Sequence, residues 1–179
     1  GVQPPDTQVL KVPANTEPVS CKLATAGCIG AGSNGRSKSG EYWYLFKLPP
    51  ALTGKDLVES GIAADVDQNT GQPIVRLQFN GRGGREFQDI TRKEYDRGRL
   101  NAGQAGQLNT QDQNTIATLA GHNAIVLDGE LKSTPYIDYK QNPDGIDPRG
   151  TGAEISNINS FGEAKDLALV LQTGALPVK

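Results

Sequence analysis

Few residues in this chain have the type and spacing to do chemistry. Hydrolysis or group transfer needs a base beside a nucleophile, paired carboxylates in a cleft, or a metal cluster. One histidine is present, His122, in A-G-H-N-A-I just ahead of an expected strand, with no serine or cysteine motif around it. It reads as a packed or hydrogen-bonded histidine, because catalytic work needs partners that this spacing does not supply. Asp128, Asp138, Asp144 and Asp147 all fall in or beside turn signals, where aspartate bonds the local backbone. Asp65, Asp67 and Asn69 imitate the opening of a calcium loop. Thr70 stands where its sharp-turn glycine belongs and Arg76 where its bidentate glutamate belongs, so D-Q-N-T-G-Q-P reads as a hairpin turn. G-R-G-G at 81–84 follows a strand and precedes a helix, the outline of a phosphate loop. It lacks Gly-Lys-Ser/Thr and a complete G-x-G-x-x-G, and reads as a tight strand-to-helix connection. No catalytic residue, metal site or cofactor is expected, and the chain does not read as an enzyme.

Cys21 and Cys28 lie in S-C-K-L-A-T-A-G-C-I. They are either two unrelated thiols in a loop or a short local disulfide, which oxidising surroundings outside the cytoplasm would permit. Zinc is not expected, since it usually takes four N or S ligands and only His122 remains to add. The densest aromatic cluster is E-Y-W-Y-L-F-K at 41–47, with high strand propensity. Alternation sends Tyr42, Tyr44 and Phe46 to one face and Trp43 and Leu45 to the other. Both faces are apolar, so the strand is expected to be covered on both sides as a core strand; the second reading is an aromatic platform for a ligand.

These groups must be positioned by a chain of 179 residues that is 36% apolar, with 22 Gly and 11 Pro. That length suits one domain, or a domain with a small annex, and long loops are expected. The net charge is −2 and no run of Lys or Arg exceeds two residues, so neither nucleic acid nor an anionic membrane surface is an expected partner. The chain starts at Gly1 and has no methionine, which reads as a processed protein or an excised fragment. No stretch reaches the apolar length of a membrane span and no signal-peptide pattern opens the chain, so whatever anchors the parent is expected elsewhere.

Residues 9–12 could form a short strand ended by Pro13, residues 13–40 read as a weakly ordered arm, and 30–40 as a flexible loop. Thr53 caps a short helical turn, and residues 62–66 are extended. Residues 73–80 form an amphipathic strand with Val75, Leu77 and Phe79 inward. A helix is expected over 85–97 with Phe87, Ile90, Thr91, Glu94 and Tyr95 inside. Residues 98–121 read as a long polar loop, apolar only from Ile116, Leu119 and Ala120. Residues 123–128 form a buried strand, and Asp128-Gly129 turns the chain into the next one. After a turn-rich loop come a closing strand and a largely buried helix, started by Ser160 with Glu163 as a capping box. Ala164, Leu167, Ala168 and Leu171 form its inner face, widened by Leu169 and Val170, and Gly174 and Pro177 stop it before an extended exit at 176–179. Two helices separated by antiparallel strands give an α+β two-layer sandwich related to the ferredoxin-like split β-α-β arrangement, with an arm at 1–40 and a head domain at 41–179.

Several stretches together resemble the large extracytoplasmic domain of the SecD family of bacterial protein-export subunits. They are L-K-V-P at 10–13, W-Y-L, P-A-L-T-G-K-D-L, Q-P-I-V-R-L-Q-F-N, G-G-R-E-F-Q-D-I-T-R, N-A-I-V-L-D-G, P-Y-I-D-Y-K-Q-N-P-D-G-I-D, G-A-E-I-S and E-A-K-D-L-A-L-V-L-Q-T-G-A-L-P-V-K. Their order covers roughly residues 41–179, and N-P-D-G-I-D resembles the version in high-GC Gram-positive bacteria. The resemblance implies a domain outside the cytoplasmic membrane, tethered between the first two transmembrane helices of its parent. It implies a head that moves relative to a base and engages preprotein emerging from the SecYEG channel, with SecF as a partner of the parent. Proton flow through membrane residues outside this chain would drive the motion. The strand at 41–47, or its neighbouring edge, is the expected preprotein-contact surface, with Tyr42, Trp43, Tyr44 and Phe46 as candidates. Rival readings are a secreted binding module for protein or glycan, with the same aromatic platform, and a small hydrolase using His122 and an aspartate.

Overall fold

Alternating apolar residues between turn signals produce the central strand of the largest core. A computed structural model describes residues 11–22, 28, 41–149, 152–156 and 158–173. In it β1 is Thr16–Lys22, β2 Glu41–Lys47, β3 Ala63–Val66 and β4 Pro73–Leu77. Helices α1 (Gly81–Gln104) and α2 (Gln113–Leu119) follow, then β5 (Gly121–His122), β6 (Ile125–Leu127), β7 (Glu130–Ser133), β8 (Tyr136–Ile137), β9 (Ala153–Ile155) and α3 (Phe161–Thr173). The fold is α+β, with the strands divided among three sheets in the orders β2-β1-β7-β6, β3-β4-β9 and β5-β8. All pairings are antiparallel except β1 with β7.

Val75 and Leu77 of β4 bury against Ile62, Ile155, Ala164 and Ala168, which places α3 on the β3-β4-β9 sheet. Phe79 continues the alternation, half-buried, and stacks on Phe87 at 4.7 Å. The β3–β4 hairpin turns on Asp67, whose carboxylate accepts from the amides of Asn69 and Thr70. Ser160 accepts from the Glu163 amide as expected. Glu163 reaches back to the Asn159 amide, one residue before the expected partner. The expectation that α3 is largely buried does not hold. Only Ala164 and Ala168 are buried, Val170 is half-buried and Leu169 is 59% exposed, because α3 lies on the sheet surface with nothing described above it. Gly174, Pro177 and the exit at 176–179 lie outside the described residues, as do Val9, Leu10 and the loop at 30–40; Lys11 and Val12 carry no strand.

Helix α1 is much longer than the expected 85–97. Asn80 caps it by accepting from the Arg82 and Gly83 amides, so G-R-G-G is its first turn and not a connection. Glycine is required at Gly83, where a Cβ would stand 2.3 Å from the Asp56 carbonyl oxygen. The expected polar loop holds the last turns of α1 and all of α2, started by Asp112, which accepts from the Thr115 amide. Gly98 lets α1 approach Tyr139 and Ala120 at about the closest distance a Cβ could tolerate, 3.0 and 3.2 Å. Burial of Ala102, Ile116, Ala120 and Tyr139 outweighs the roughly 1 kcal/mol that a mid-helix glycine costs. Of the predicted inner face of α1, Thr91, Glu94 and Tyr95 are buried and Phe87 and Ile90 are half-buried.

The arm contains a strand. β1 pairs with β2 over seven residues, from Thr16 opposite Lys47 to Lys22 opposite Glu41. Asp128 and Gly129 both take positive φ, 51° and 73°, and join β6 to β7 as the dipeptide predicts. Residues 125–127 of the expected buried strand are half-buried, and Gly121–His122 forms a separate pairing with Tyr136–Ile137.

Candidate functional site

The two faces of β2 have different surroundings. Tyr42, Tyr44 and Phe46 pack on Val19, Cys21 and Leu131, a small core closed by Cys28, Val126 and the Cys21–Cys28 disulfide, whose Cα atoms are 6.0 Å apart. Burial pushes the Tyr44 phenol up, and Tyr42 adds to it. Trp43 and Leu45 are 64% and 54% exposed. Covering on both faces was expected for this strand; the described residues cover one. The candidate set Tyr42, Trp43, Tyr44 and Phe46 is therefore split, with only Trp43 open to a partner. Leu45 was not in that set, although the alternation already placed it beside Trp43.

The same open face carries Pro18, Ser20 and Lys22 from β1 and Glu130 and Lys132 from β7, since Ser20 stands opposite both Trp43 and Glu130. Glu130 is 2.9 Å from Lys132 and 3.7 Å from Lys22. The hydrogen bond from Lys132, with the charges of Lys132 and Lys22, holds the Glu130 carboxyl below the usual range despite its burial. Lys47 is exposed at the end of β2.

Of the other chemistry-bearing residues, Glu94, Arg97 and His122 lie near one another, and the turn aspartates stand apart from them. His122 has Nδ1 3.2 Å from the Thr134 carbonyl and Nε2 3.0 Å from the Ala117 carbonyl, so it ties β5 to α2 and to the segment before β8. Glu94 is buried beside Gly121, where a Cβ would stand 2.5 Å from Oε2, and pairs with Arg97 at 3.0 Å. Asp138 accepts from the Lys140 amide and Asp147 from the Arg149 amide. Arg149 brings the Asp147 carboxyl down to about 2. Among the described residues no group of three or more His, Cys, Asp or Glu could hold a metal ion, and no helix is long and apolar enough to cross a membrane.

The described residues thus define a small α+β domain whose exposed chemistry is an aromatic strand at the edge of a sheet. Residues 33–178 match the SecDF P1 head subdomain family, and the chain belongs to that family. It is similar to protein translocase subunit SecD of Acidaminococcus fermentans, 33% identical over 128 residues, which are 72% of this chain and 22% of the relative. SecD of Aquifex aeolicus is 32% identical over 141 residues, 79% of this chain and 21% of the relative. Among solved structures, a membrane component SecDF that enhances protein export is 33% identical, with a TM-score of 0.43, over 73% of this chain and 44% of that one. The chain spans about a fifth of the length of these curated relatives.

Proposed function

We propose that this chain is the extracytoplasmic head of a Sec translocation accessory subunit and that the open face of β2 receives unfolded preprotein. The parent sits in the cell membrane with SecF, beside the SecYEG channel. The head moves relative to a base as protons pass through membrane residues elsewhere in the parent. Membership of the SecDF P1 head family supports the setting, and the observation that carries the site is the exposure of Trp43 and Leu45 on one face of a regular strand. A factor that handles many unfolded clients gains from apolar surface and backbone contacts, which hold weakly and without a specific pocket.

Trp43 is the only tryptophan in the chain, so its emission reports on this face alone. Titration with reduced, carboxymethylated ribonuclease A, which lacks tryptophan, is expected to shift the emission to the blue and to saturate. Native ribonuclease A should leave it unchanged, and Leu45→Asp should abolish the shift. Binding of the unfolded chain to Leu45→Asp with unaltered affinity, measured by anisotropy of the labelled client, would place the site elsewhere.

A further inference from the structure

We infer that β2 takes an extended polypeptide as an added strand, held by the main chain of Trp43 and Leu45. This rests on the reading of the open face as the preprotein site and specifies how that site binds.

The direction of the backbone groups follows from one hydrogen bond. The Ser20 N–H donates to the Gly129 carbonyl at 2.9 Å, on the β7 side and away from β2. In an antiparallel ladder, residues that exchange both bonds alternate with residues that exchange none. Ser20 and its partner Trp43 are therefore a pair that exchanges none, and the N–H and C=O of Trp43 point away from β1. Leu45, opposite Pro18, has the same parity. Pro18 supports the assignment independently, because a residue without an N–H fits mid-strand only where the ladder does not ask for one. The outward row thus belongs to the two residues whose side chains are also exposed.

The order of this sheet ends at β2, and no described strand pairs with its outer side. Proteins guard such edges with prolines, bulges, inward charges or short length. β2 runs seven residues in unbroken register, and residues 42–46 hold neither a proline nor a charge. The opposite edge, β6, has three residues and a register shift, and the edges β3 and β9 have four and three residues. β2 alone among these is long and carries none of these guards within residues 42–46. The outward N–H and C=O groups of Trp43 and Leu45, which have no partner among the described residues, define the occupant chemically, since only another extended main chain matches an alternating row of donors and acceptors.

Side chains narrow the occupant further. In the added strand, the residues opposite Trp43 and Leu45 share their face, which selects apolar residues two apart. The occupant is an extended segment with apolar residues at alternate positions.

The test uses this 179-residue chain and a fluorescein-labelled peptide of alternating leucine and threonine with glutamate flanks, read by anisotropy. N-methylation of one alternate set of amides should weaken binding about tenfold or more, and methylation of the other set should leave it within about twofold. The sensitive set is the leucines in an antiparallel register and the threonines in a parallel one. Equal sensitivity of the two sets, with binding still lost in Leu45→Asp, would leave the open face as the site and overturn strand addition. Absence of any binding that Leu45→Asp changes would overturn the site itself. Concentration-dependent dimerisation that Leu45→Asp breaks, without peptide binding, would assign the edge to a second copy of the chain.

Discussion

Thr91 and Ile146 are joined across 55 residues of sequence by one hydrogen bond. The Ile146 amide donates to Thr91 Oγ1 at 2.8 Å, while that hydroxyl donates to the Phe87 carbonyl at 2.9 Å. Thr91 is fully buried, so one side chain pins the turn-rich loop to α1. Gly145 lies against the same helix, with φ +81° and room for no Cβ, which would stand 2.1 Å from the Gln88 carbonyl oxygen.

Thr91→Val keeps the shape and removes the acceptor, leaving the N–H of the half-buried Ile146 without that partner. It is expected to lower stability by about 1–3 kcal/mol, and Thr91→Ser by about 1 kcal/mol for the lost methyl. Urea midpoints rank the three proteins. A valine variant as stable as the parent would show that water replaces the hydroxyl.

Two glycines of α1 should respond to alanine in opposite directions. At Gly83 the new Cβ meets the Asp56 carbonyl oxygen at 2.3 Å and the Asp56 Cβ at 2.9 Å, so overpacking of about 1–3 kcal/mol exceeds the gain in helix propensity. At Gly103 the nearest atom is Leu108 Cδ1 at 4.0 Å, and alanine should add about 0.5–1 kcal/mol. Thermal unfolding of each variant reads the sign directly.

These positions also show what sequence alone could carry. Alternation at Val75, Leu77 and Phe79 and the Asp128-Gly129 turn were legible because local geometry decides them, and the turn took the predicted conformation. The length of α1 was not. Gly98 reads as a helix breaker until Tyr139 is known to pack against it. β1 was hidden by Pro18, which is harmless only because its side of the backbone is not part of the pairing with β2. At the candidate site the alternation of Trp43 and Leu45 was visible, but the face left open was not, since the residue that covers the other one, Leu131, arrives far later in the chain.

Burial pushes the Glu94 carboxyl up, opposed by the nearby charges of Arg97 and His122. A carboxyl with a raised folded pKa contributes stability when protonated, below the ordinary carboxylate range, and loses it as pH rises through the raised value. Glu94→Gln should therefore be more stable than the parent near neutral pH, with the difference vanishing on acidification. Urea midpoints of both proteins, followed from about pH 7 to about pH 4, test it. A parent that is the more stable at neutral pH would show that the Arg97 pair outweighs burial.

The Cys21–Cys28 link closes a short loop next to the buried end of β1. Constraint of a loop of this size is worth about 2–3 kcal/mol in the unfolded chain, so dithiothreitol should lower the urea midpoint of the parent and leave a Cys21→Ala/Cys28→Ala variant unchanged. Intact mass under oxidising conditions must show the loss of two hydrogens. A reduced mass with the same midpoint would remove the link from the account of β1.

Tyr44 and Trp43 are neighbours in one strand, yet they should behave as residues of different kinds. Tyr44 packs on the Val19 and Leu131 core while Trp43 is exposed, so Tyr44→Ala should cost about 1–3 kcal/mol and Trp43→Ala should stay within about 0.5 kcal/mol of the parent. Peptide affinity should follow a different pattern. Trp43→Ala should weaken binding of the leucine–threonine peptide at unchanged stability. Tyr44→Ala should weaken it only under conditions where the domain begins to unfold. Stability and affinity measured on the same two proteins separate the roles: a large stability loss in Trp43→Ala would mean that its face is covered, and an open platform would then be untenable.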